Sequence, residues 1–241
     1  METSCLKNKN CLITGATGGI GKEVSIQLAD QSCNLFLTGR NKQKLESLKK
    51  LLIKNNPDIN IEYKEGDLTR LSDIKNIVSN AKHHFGNIDI LINCAGIFMI
   101  KPLFEYDIDD YFNCFNLNVR APFVLSKELV PDMIEKNWGR IINLGSSSSY
   151  MGFKYGSYYC STKFAILGLS RSLHAELKKY NIRTYCISPS STKTEMAKIS
   201  TDQNFDTFLE PKEVAKFIVT VISFDNEMVM DEIRLNRMII E

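Results

Sequence analysis

The sequence predicts an α/β fold with one doubly wound, mainly parallel sheet of about seven strands and helices on both faces. Two observations lead to this prediction. Short apolar runs rich in β-branched residues alternate with helical patterns along the whole chain, and such alternation produces βαβ units. The chain has 241 residues, of which 44% are hydrophobic and 24% charged, so it can bury a core. Because α/β folds of this length often form one domain, we predict a single domain over residues 1–241.

The strands are predicted where short runs of Ile, Leu, Val and other apolar residues stand between turn residues. In chain order these runs are NCLIT, NLFLT, INIEYKE, DILINC, RIINLG, RTYCIS and MVMDEIRL, at residues 10–14, 34–38, 59–65, 89–94, 140–145, 183–188 and 228–235. Strands that alternate with helices in this way are typical of a parallel sheet covered on both faces.

The helices are predicted between the strands, at residues 19–30, 41–55, 70–85, 106–136, 157–180 and 211–224. The second of them shows the helical period clearly, because Leu45, Leu48, Leu51 and Leu52 fall on one face and Lys and Glu elsewhere. The crossovers that these helices make between parallel strands should be right-handed.

Composition excludes several classes of function. The formal charge is only +2 and no basic stripe occurs, so nothing favours nucleic-acid binding. The longest apolar stretches fall far short of the roughly 20 residues of a membrane-spanning helix, and the N-terminus has no apolar segment of a secretion signal. The seven cysteines include no CxxC pair and the three histidines no metal-ligand spacing. We therefore expect reduced thiols, a cytoplasmic protein and no metal site.

A glycine-rich turn follows the first predicted strand. Residues 14–21 read TGATGGIG, and a predicted helix begins within them. Glycines at such a turn let the backbone approach a diphosphate, and the helix N-terminus offers free N–H groups and a partial positive charge. Its form is TGxxxGxG rather than GxGxxG, but its position between strand and helix predicts a dinucleotide-binding site.

The second predicted strand ends in TGRN, at residues 38–41. In dinucleotide-binding folds this tip meets the adenosine ribose, where an acidic residue would bind the 2′-hydroxyl of NAD. Arg40 stands there instead, and a guanidinium suits a 2′-phosphate, with Lys42 as a second positive charge. This predicts NADP(H) rather than NAD(H), although a solvated surface arginine is the alternative. The turns GDLT (66–69) and NCAG (93–96) end the next two strands at the same sheet edge.

In combination, these motifs resemble those of the classical short-chain dehydrogenases/reductases. The resemblance rests on Thr14-Gly15-x-x-x-Gly19-Ile20-Gly21, Asp67, Asn93-x-Ala95-Gly96, Asn118, Ser146, Tyr159-x-x-x-Lys163 and Pro189, in register over residues 10 to about 195. Within this family, the sequence is similar to the 3-oxoacyl-(acyl-carrier-protein) reductase type. The resemblance implies a Rossmann-like fold and a cofactor site formed by Gly15, Thr17, Gly18, Gly19, Ile20, Gly21, Arg40, Asp67, Leu68, Asn93, Ala95, Gly96, Tyr159, Lys163, Pro189, Thr192 and Thr194.

The resemblance also implies the roles of four catalytic residues. Tyr159 is the general acid in reduction and the general base in oxidation, and we expect the Lys163 ammonium to lower its pKa. Lys163 also binds the nicotinamide ribose. Ser146 donates a hydrogen bond to the substrate oxygen. Ser147 is the main alternative for this role, and Ser148 and Ser149 are less favoured.

Two of these assignments have neighbours as alternatives. Asn118 would hold a water that links Lys163 to solvent, and Asn116 is its rival. Tyr158 competes with Tyr159, but residues i and i+4 share a helix face, whereas i and i+5 diverge. We therefore interpret Tyr158 as an aromatic residue with a packing role.

The sequence departs from the family pattern in three places. Ser190 stands in PSSTKT where the family has glycine, and we expect it to alter the backbone there. We expect residues 195–209 to form a short, mostly polar substrate lid. The ending DEIRLNRMIIE lacks the glycine-rich end common in acyl-carrier-protein reductases, which weakens the fatty-acid interpretation.

The sequence thus predicts an NADP(H)-dependent oxidoreductase that acts on a carbonyl or secondary alcohol. The alternative is a non-catalytic NADP(H)-binding protein that has kept the fold. Candidate substrates are a 3-oxoacyl thioester, a ketosugar or polyol, and a hydroxysteroid-like ketone. By resemblance, the predicted helices at 106–136 and 157–180 form the contacts of a homodimer or homotetramer.

Overall fold

A computed structural model of the chain describes residues 5–199 and 203–238. It contains a seven-stranded sheet in the order β3-β2-β1-β4-β5-β6-β7, with every neighbouring pair parallel. The strands are β1 Asn10–Thr14, β2 Asn34–Gly39, β3 Ile61–Glu65, β4 Ile90–Asn93, β5 Gly139–Leu144, β6 Ile182–Pro189 and β7 Glu232–Leu235. The strand order reverses between β1 and β4, and in such sheets the ligand crevice lies there, outside the carboxyl ends of the strands.

Helices cover both faces of this sheet, which confirms the predicted fold class. They are α1 Gly19–Asp30, α2 Lys42–Asn55, α3 Leu71–Phe85, α4 Ile108–Phe115, α5 Ala121–Glu135, α6 Ser157–Leu177 and α7 Pro211–Ile222. Adjacent residues of a strand pack into the cores on opposite faces of the sheet, as expected for a side-chain period of two. Ile13 of β1 packs with Leu28 and Ile218 on the α1 and α7 face, whereas Leu12 packs with Ile77 and Leu125 on the α3 and α5 face.

The single helix predicted at 106–136 is wrong. The structure divides it into α4 and α5, joined by a π-helical turn at Asn116–Arg120. In that turn the Ala121 N–H donates to the carbonyl of Asn116, five residues earlier. Pro122 supplies the reason, because it has no N–H with which to continue the α-helical ladder back to Asn118. Asn118 lies within this turn and is buried, and such π turns are frequent at functional sites.

Other predicted boundaries need smaller corrections. The last α-helical residue of α6 is Leu177, followed by a 3₁₀ turn at Lys178–Tyr180, so the predicted end at 180 is too late. The strand predicted at 228–235 is limited to Glu232–Leu235, where β6 supplies pairing partners. The strand predicted at 59–65 begins only at Ile61. Within the described residues, no helix is both long and apolar enough to cross a bilayer.

Candidate active site

The glycine-rich turn between β1 and α1 requires two of its glycines. Gly15 has a φ of 61°, and a Cβ there would lie 2.9 Å from the backbone of Ala95. A Cβ on Gly21 would lie 2.3 Å from the carbonyl oxygen of Gly15. The N-cap residue of α1, Gly18, makes no side-chain capping bond, so the first N–H groups of the helix remain available to an anion. The predicted phosphate-binding turn, which includes Thr17 and Ile20, therefore has the shape and polarity that a diphosphate needs.

The segment after β6 crosses this turn. A Cβ on Gly19 would lie 2.5 Å from Cγ2 of Thr194, so Thr194 packs against the glycine-rich turn. Thr192 is buried, and its hydroxyl donates to the carbonyl of Ser190 at 2.9 Å. Pro189 is the last residue of β6. The hydroxyl of Thr192 is thus occupied by the chain itself.

Ser190 does not alter the backbone in the expected way. Its φ lies outside the left-handed region that would have required glycine. Its N–H donates to the carbonyl of Leu235 at 2.8 Å, which ties the residue to the end of β7. The expectation from the missing glycine is wrong, because the conformation here is one that any residue can adopt. Its hydroxyl is buried without a hydrogen-bond partner in the described part of the chain.

Two charged residues, Arg40 and Asp67, follow the carboxyl ends of β2 and β3. Arg40 follows the last residue of β2 and is exposed, without a hydrogen bond or ion pair to the described residues. Asp67 accepts two hydrogen bonds from Thr69, at 2.9 and 2.8 Å. Burial raises the pKa of Asp67, but the bonds from Thr69 and the charges of Arg70 and Arg40 outweigh it, and the pKa is lowered. Asp67 is therefore an anion near Arg40, and Leu68 beside it is buried.

At the end of β4 the predicted residues serve different purposes. Asn93 is buried and donates to Oδ1 of Asn143 on β5 at 2.8 Å, so its side chain holds the sheet together. The Ala95 N–H donates to the hydroxyl of Thr14 at 3.1 Å, which joins this turn to β1. A Cβ on Gly96 would lie 3.2 Å from Oδ1 of Asn118. The turn after β4 thus packs against β1 through Ala95 and against Asn118 through Gly96.

Asn118 ties the turn after β4 to α6. Its Oδ1 accepts from the Ile97 N–H at 3.0 Å, and its Nδ2 donates to the Ile97 carbonyl and the Thr162 hydroxyl, both at 3.1 Å. The side chain is buried. Both Nδ2 hydrogens are thus used within the protein, so a water that links Asn118 to Lys163 would bind the second acceptor site of Oδ1 or the backbone of the π turn. The rival Asn116 is half-buried in the same turn.

Helix α6 brings Tyr159 and Lys163 to the same side. The Lys163 Nζ lies 5.6 Å from the centre of the Tyr159 ring and donates to the carbonyl of Leu144, at the end of β5, at 2.7 Å. Ser146 begins a 3₁₀ turn at Ser147–Ser149, and its hydroxyl accepts from the Ser148 N–H at 3.1 Å. Ser148 and Ser149 are buried, whereas Ser146 and its rival Ser147 are half-exposed.

The pKa of Tyr159 moves opposite to the sequence-based expectation. Burial raises the pKa of Tyr159 to about 12, although a hydrogen bond with Ser146 works against the rise. Burial also lowers the pKa of Lys163 to about 8, against the opposing influence of the thiols of Cys186, Cys114 and Cys94. In the protein alone the pKa of Tyr159 is therefore raised and not lowered as expected, because the removal of water disfavours the phenolate.

Tyr158 points elsewhere. Its ring packs edge-on against Tyr106 at 4.6 Å, and the side chain is buried. Its hydroxyl has no hydrogen-bond partner in the described residues, and burial raises its pKa strongly. The geometry agrees with a packing role for Tyr158 and leaves Tyr159 as the phenol near Lys163.

Aromatic side chains flank Tyr159, and the sequence analysis missed them. The Phe98 ring meets the Tyr159 ring nearly edge-on, with centres 4.7 Å apart and an angle of 73°. Phe153 lies 6.1 Å from Phe98. Phe98 follows the NCAG turn, and Phe153 lies between Ser146 and Tyr159. No periodicity marks these loop positions, so only their closeness in sequence to the motif residues could have drawn attention to them.

The predicted lid contains two 3₁₀ turns, at Glu195–Ile199 and Phe205–Thr207. Residues 200–202 of the predicted 195–209 segment lie outside the described residues. The second half is fastened from two sides. Arg237 donates to Thr207 and Gln203 at 3.0 Å each, and the Ser191 hydroxyl donates to Gln203 at 2.9 Å. The segment is thus attached both to the loop after β6 and to the C-terminal segment after β7.

Comparisons with known proteins agree with this architecture. The sequence profile of the family described as short chain dehydrogenase matches residues 9–204. An uncharacterized oxidoreductase of Staphylococcus saprophyticus is 28% identical over 228 residues, covering 95% of this chain and 97% of that protein.

Solved structures show the same arrangement. A short-chain dehydrogenase from Sphingobium yanoikuyae, in complex with NADPH, is 26% identical with a TM-score of 0.84, covering 95% of this chain and 87% of that one. L-Sorbose reductase from Gluconobacter frateurii, complexed with NADPH and L-sorbose, is 24% identical with a TM-score of 0.88, covering 97% and 96%. The second likeness concerns the fold alone.

Proposed function

The chain belongs to the short-chain dehydrogenase family of oxidoreductases, and from that premise we propose that it transfers hydride between NADP(H) and a carbonyl or secondary alcohol. The observation that carries the proposal is the pair on α6. Tyr159 and the buried Lys163 lie together with Nζ 5.6 Å from the ring centre, next to Ser146 and at the carboxyl edge of the sheet. A phenol, an ammonium and a hydroxyl at this edge suit proton exchange with a substrate oxygen.

The crevice fits a dinucleotide. The turn at Gly15 and Gly21 leaves no room for side chains, and the uncapped start of α1 favours an anionic diphosphate. When bound, the nicotinamide supplies or accepts the hydride. The residues that would hold the cofactor are those predicted along the crevice, with Thr194 and the N–H groups of α1 at the diphosphate.

NADP(H) is the proposed form of the cofactor. Arg40 is exposed and unpaired among the described residues, so its guanidinium is free to bind a 2′-phosphate in bidentate fashion. The 26% identical relative from Sphingobium yanoikuyae was solved with NADPH, which supports the proposal. The alternative is NAD(H), because Asp67 nearby is a carboxylate with a lowered pKa. Measurement of the affinities for NADPH and NADH decides between the two cofactors.

The chain's own residues would move the proton. In reduction, the Tyr159 hydroxyl donates its proton to the substrate oxygen, and in oxidation the phenolate accepts it. The raised pKa of about 12 favours the neutral phenol, which is the form needed for reduction. Lys163 would hold the nicotinamide ribose and stabilise the phenolate, and a cationic nicotinamide would add to that stabilisation. Ser146 would donate to the substrate oxygen, while Asn118 holds the π turn beneath them.

The alternative is a protein that binds NADP(H) without catalysis. Replacing Tyr159 with Phe separates the two, because the ring remains and only the hydroxyl is lost. We expect the variant to lose at least about a hundredfold in kcat, the usual contribution of a positioned acid, while NADPH fluorescence shows unchanged binding. Tyr158→Phe is the matched control and should keep its activity. Full activity in Tyr159→Phe would contradict the mechanism.

Assembly and location are also part of the proposal. Several large apolar side chains on and before α4, α5 and α6 are exposed, namely Phe104, Ile108, Phe112, Phe123 and Phe164. Exposed apolar surface of this kind marks protein–protein contacts, which supports a homodimer or homotetramer. Light scattering that gives a monomer would contradict this. All seven cysteines are free, which supports a reducing compartment, the cytoplasm, and we retain one domain for residues 1–241.

A further inference from the structure

We propose that the substrate of this site is a carbonyl compound with a rigid apolar ring next to the reacting carbon, seated against Phe98 and Phe153. The inference rests on the proposed function and specifies its substrate class. An aryl or alicyclic ketone, rather than a sugar, fits the side chains that surround the proposed acid.

An apolar surface lies next to the Tyr159 phenol. The ring of Phe98 meets the Tyr159 ring at 4.7 Å and 73°, an edge-to-face geometry that aromatic pairs prefer. Phe98 is only half-buried, so part of its ring remains open to a ligand. A carbonyl group within reach of the Tyr159 hydroxyl would therefore place its substituents close to an apolar ring.

The second step is that Phe153 extends this surface. Its ring centre lies 6.1 Å from that of Phe98, and the side chain is 40% exposed although it is large and apolar. Its ring lies over Gly156, where an added Cβ would approach within 2.3 Å. Gly156 is the N-cap residue of α6, the helix that carries Tyr159. Phe153 is thus fixed relative to the proposed acid by the start of its own helix.

The third step is that the loop carrying Phe153 is held in place. Tyr155 has a φ of 65°, a left-handed conformation that non-glycine residues seldom adopt. Its carbonyl accepts from the Tyr106 hydroxyl at 2.7 Å and from the Lys101 N–H at 3.2 Å. Such strained loop residues persist where the surroundings over-determine them, often at ligand sites. The apolar surface is thus preorganised, which reduces the entropy lost when a ligand binds.

The chemistry of the ligand follows from this surface. A ring placed against Phe98 and Phe153 gains apolar burial and aromatic contacts without unpaired polar groups. A ketosugar would press hydroxyls against the same rings, and each hydroxyl without a partner costs free energy. An apolar site discriminates against an added hydroxyl by about a hundredfold. A rigid apolar ketone is therefore the substrate that this geometry favours.

Steady-state kinetics with NADPH test the proposal on four probes: propiophenone, fructose, an acetoacetyl thioester and 2,3-butanedione. For the wild type we expect kcat/KM to be highest for propiophenone and at least about a hundredfold lower for fructose. Phe153→Ser should lower the propiophenone value about tenfold to a hundredfold, the range set by the burial of one phenyl side chain. It should change the value for the small butanedione by less than about threefold, because this probe is too small to cover the ring.

Two controls isolate the effect of the ring. Leu51→Ser removes an apolar side chain of the same 40% exposure from α2 and should leave all four values unchanged. Phe153→Leu keeps the site apolar and should retain most of the propiophenone activity. The inference is overturned if fructose or the thioester gives the highest kcat/KM, or if Phe153→Ser lowers all four values equally.

A binding experiment separates this inference from the proposed function. Propiophenone is titrated into NADPH-loaded Tyr159→Phe, with and without Phe153→Ser, and NADPH fluorescence reports its dissociation constant. A constant raised about tenfold or more by Phe153→Ser supports the apolar subsite even if no carbonyl is turned over. Absence of propiophenone binding, together with wild-type turnover of another carbonyl, overturns the subsite and leaves the oxidoreductase intact.

Discussion

The contact between Gly19 and Thr194 offers a sharp test of how the cofactor crevice is built. A Cβ on Gly19 would lie 2.5 Å from Cγ2 of Thr194, whereas two carbons are best separated by about 3.5–4.0 Å. Gly19→Ala therefore forces the Thr194 side chain to move by about an ångström. Because this side chain can turn about one bond, we place the cost at about 1 kcal/mol, the low end for overpacking. For a chain of this size that lowers the melting temperature by about 2–4 °C.

The larger effect should appear in cofactor affinity. Turning Thr194 carries its hydroxyl away from the predicted diphosphate, and one hydrogen bond to a charged group is worth about 1.5–3 kcal/mol. The dissociation constant of NADPH, measured by fluorescence titration, should therefore rise about 10-fold to 150-fold in Gly19→Ala. Thr194→Ser removes Cγ2 and keeps the hydroxyl, and the next atom, Cβ, would stand 3.1 Å from the new methyl group. The double variant should therefore recover most of the affinity.

A second glycine provides the control. Gly168 lies within α6, and a Cβ there would meet nothing within 4 Å. Gly168→Ala should leave NADPH affinity unchanged and raise the stability by about 0.5–1 kcal/mol. The reasoning is refuted if Gly19→Ala binds NADPH as the wild type does, or if adding Thr194→Ser restores nothing, since the segment after β6 would then not lie against the phosphate turn.

The remaining predictions concern selectivity and pH. Arg40→Ala should weaken NADPH binding about tenfold or more and leave NADH binding unchanged, because only NADPH carries the 2′-phosphate. Lys50→Ala is the charge-matched control. Equal losses of affinity for both cofactors would exclude Arg40 as the phosphate ligand. The pKa of Lys163 is lowered from 10.5 to about 8 in the folded state. As the pH rises, Lys163 therefore loses its proton in the folded protein before it does so in the unfolded chain, and the free energy of unfolding increases between pH 8 and 10.5. Lys163→Met should therefore be more stable than the wild type at pH 7, and this advantage should shrink by about 2 kcal/mol by pH 9.5 in denaturant titrations. An advantage that does not change with pH would contradict the burial of an ammonium at this position.

Local patterns in the sequence predicted most of the fold. Leu45, Leu48 and Leu52 follow the helical period and are buried in α2, whereas Leu51, predicted on the same face, is 40% exposed. The β-branched runs became strands because a parallel sheet buries both of its faces. The π turn at Asn116–Arg120 was not predictable from periodicity, because its pattern of apolar residues continues from α4 into α5. Only the missing N–H of Pro122 hinted at the interruption.

The candidate site was predicted less completely than the fold. Short motifs predicted Gly15, Arg40 and Tyr159 as site residues, because each motif is local in sequence. The direction of the Tyr159 pKa shift was missed because burial depends on Phe98 and other groups that only the folded chain brings around the phenol. Likewise, Ser190 stands where the family has glycine, but its φ lies outside the left-handed region that favours glycine.

The central claim is hydride transfer from NADPH to a carbonyl, and its most direct test is the oxidation of NADPH followed at its absorbance, with NADH alongside. Wild-type protein is mixed with each of the four carbonyl probes, and the alcohol product is quantified. We expect oxidation of NADPH faster than NADH with at least one carbonyl, one alcohol formed for each NADPH consumed, and loss of this turnover in Tyr159→Phe. Tight NADPH binding without oxidation by any probe would contradict the account and favour a protein that only binds the cofactor.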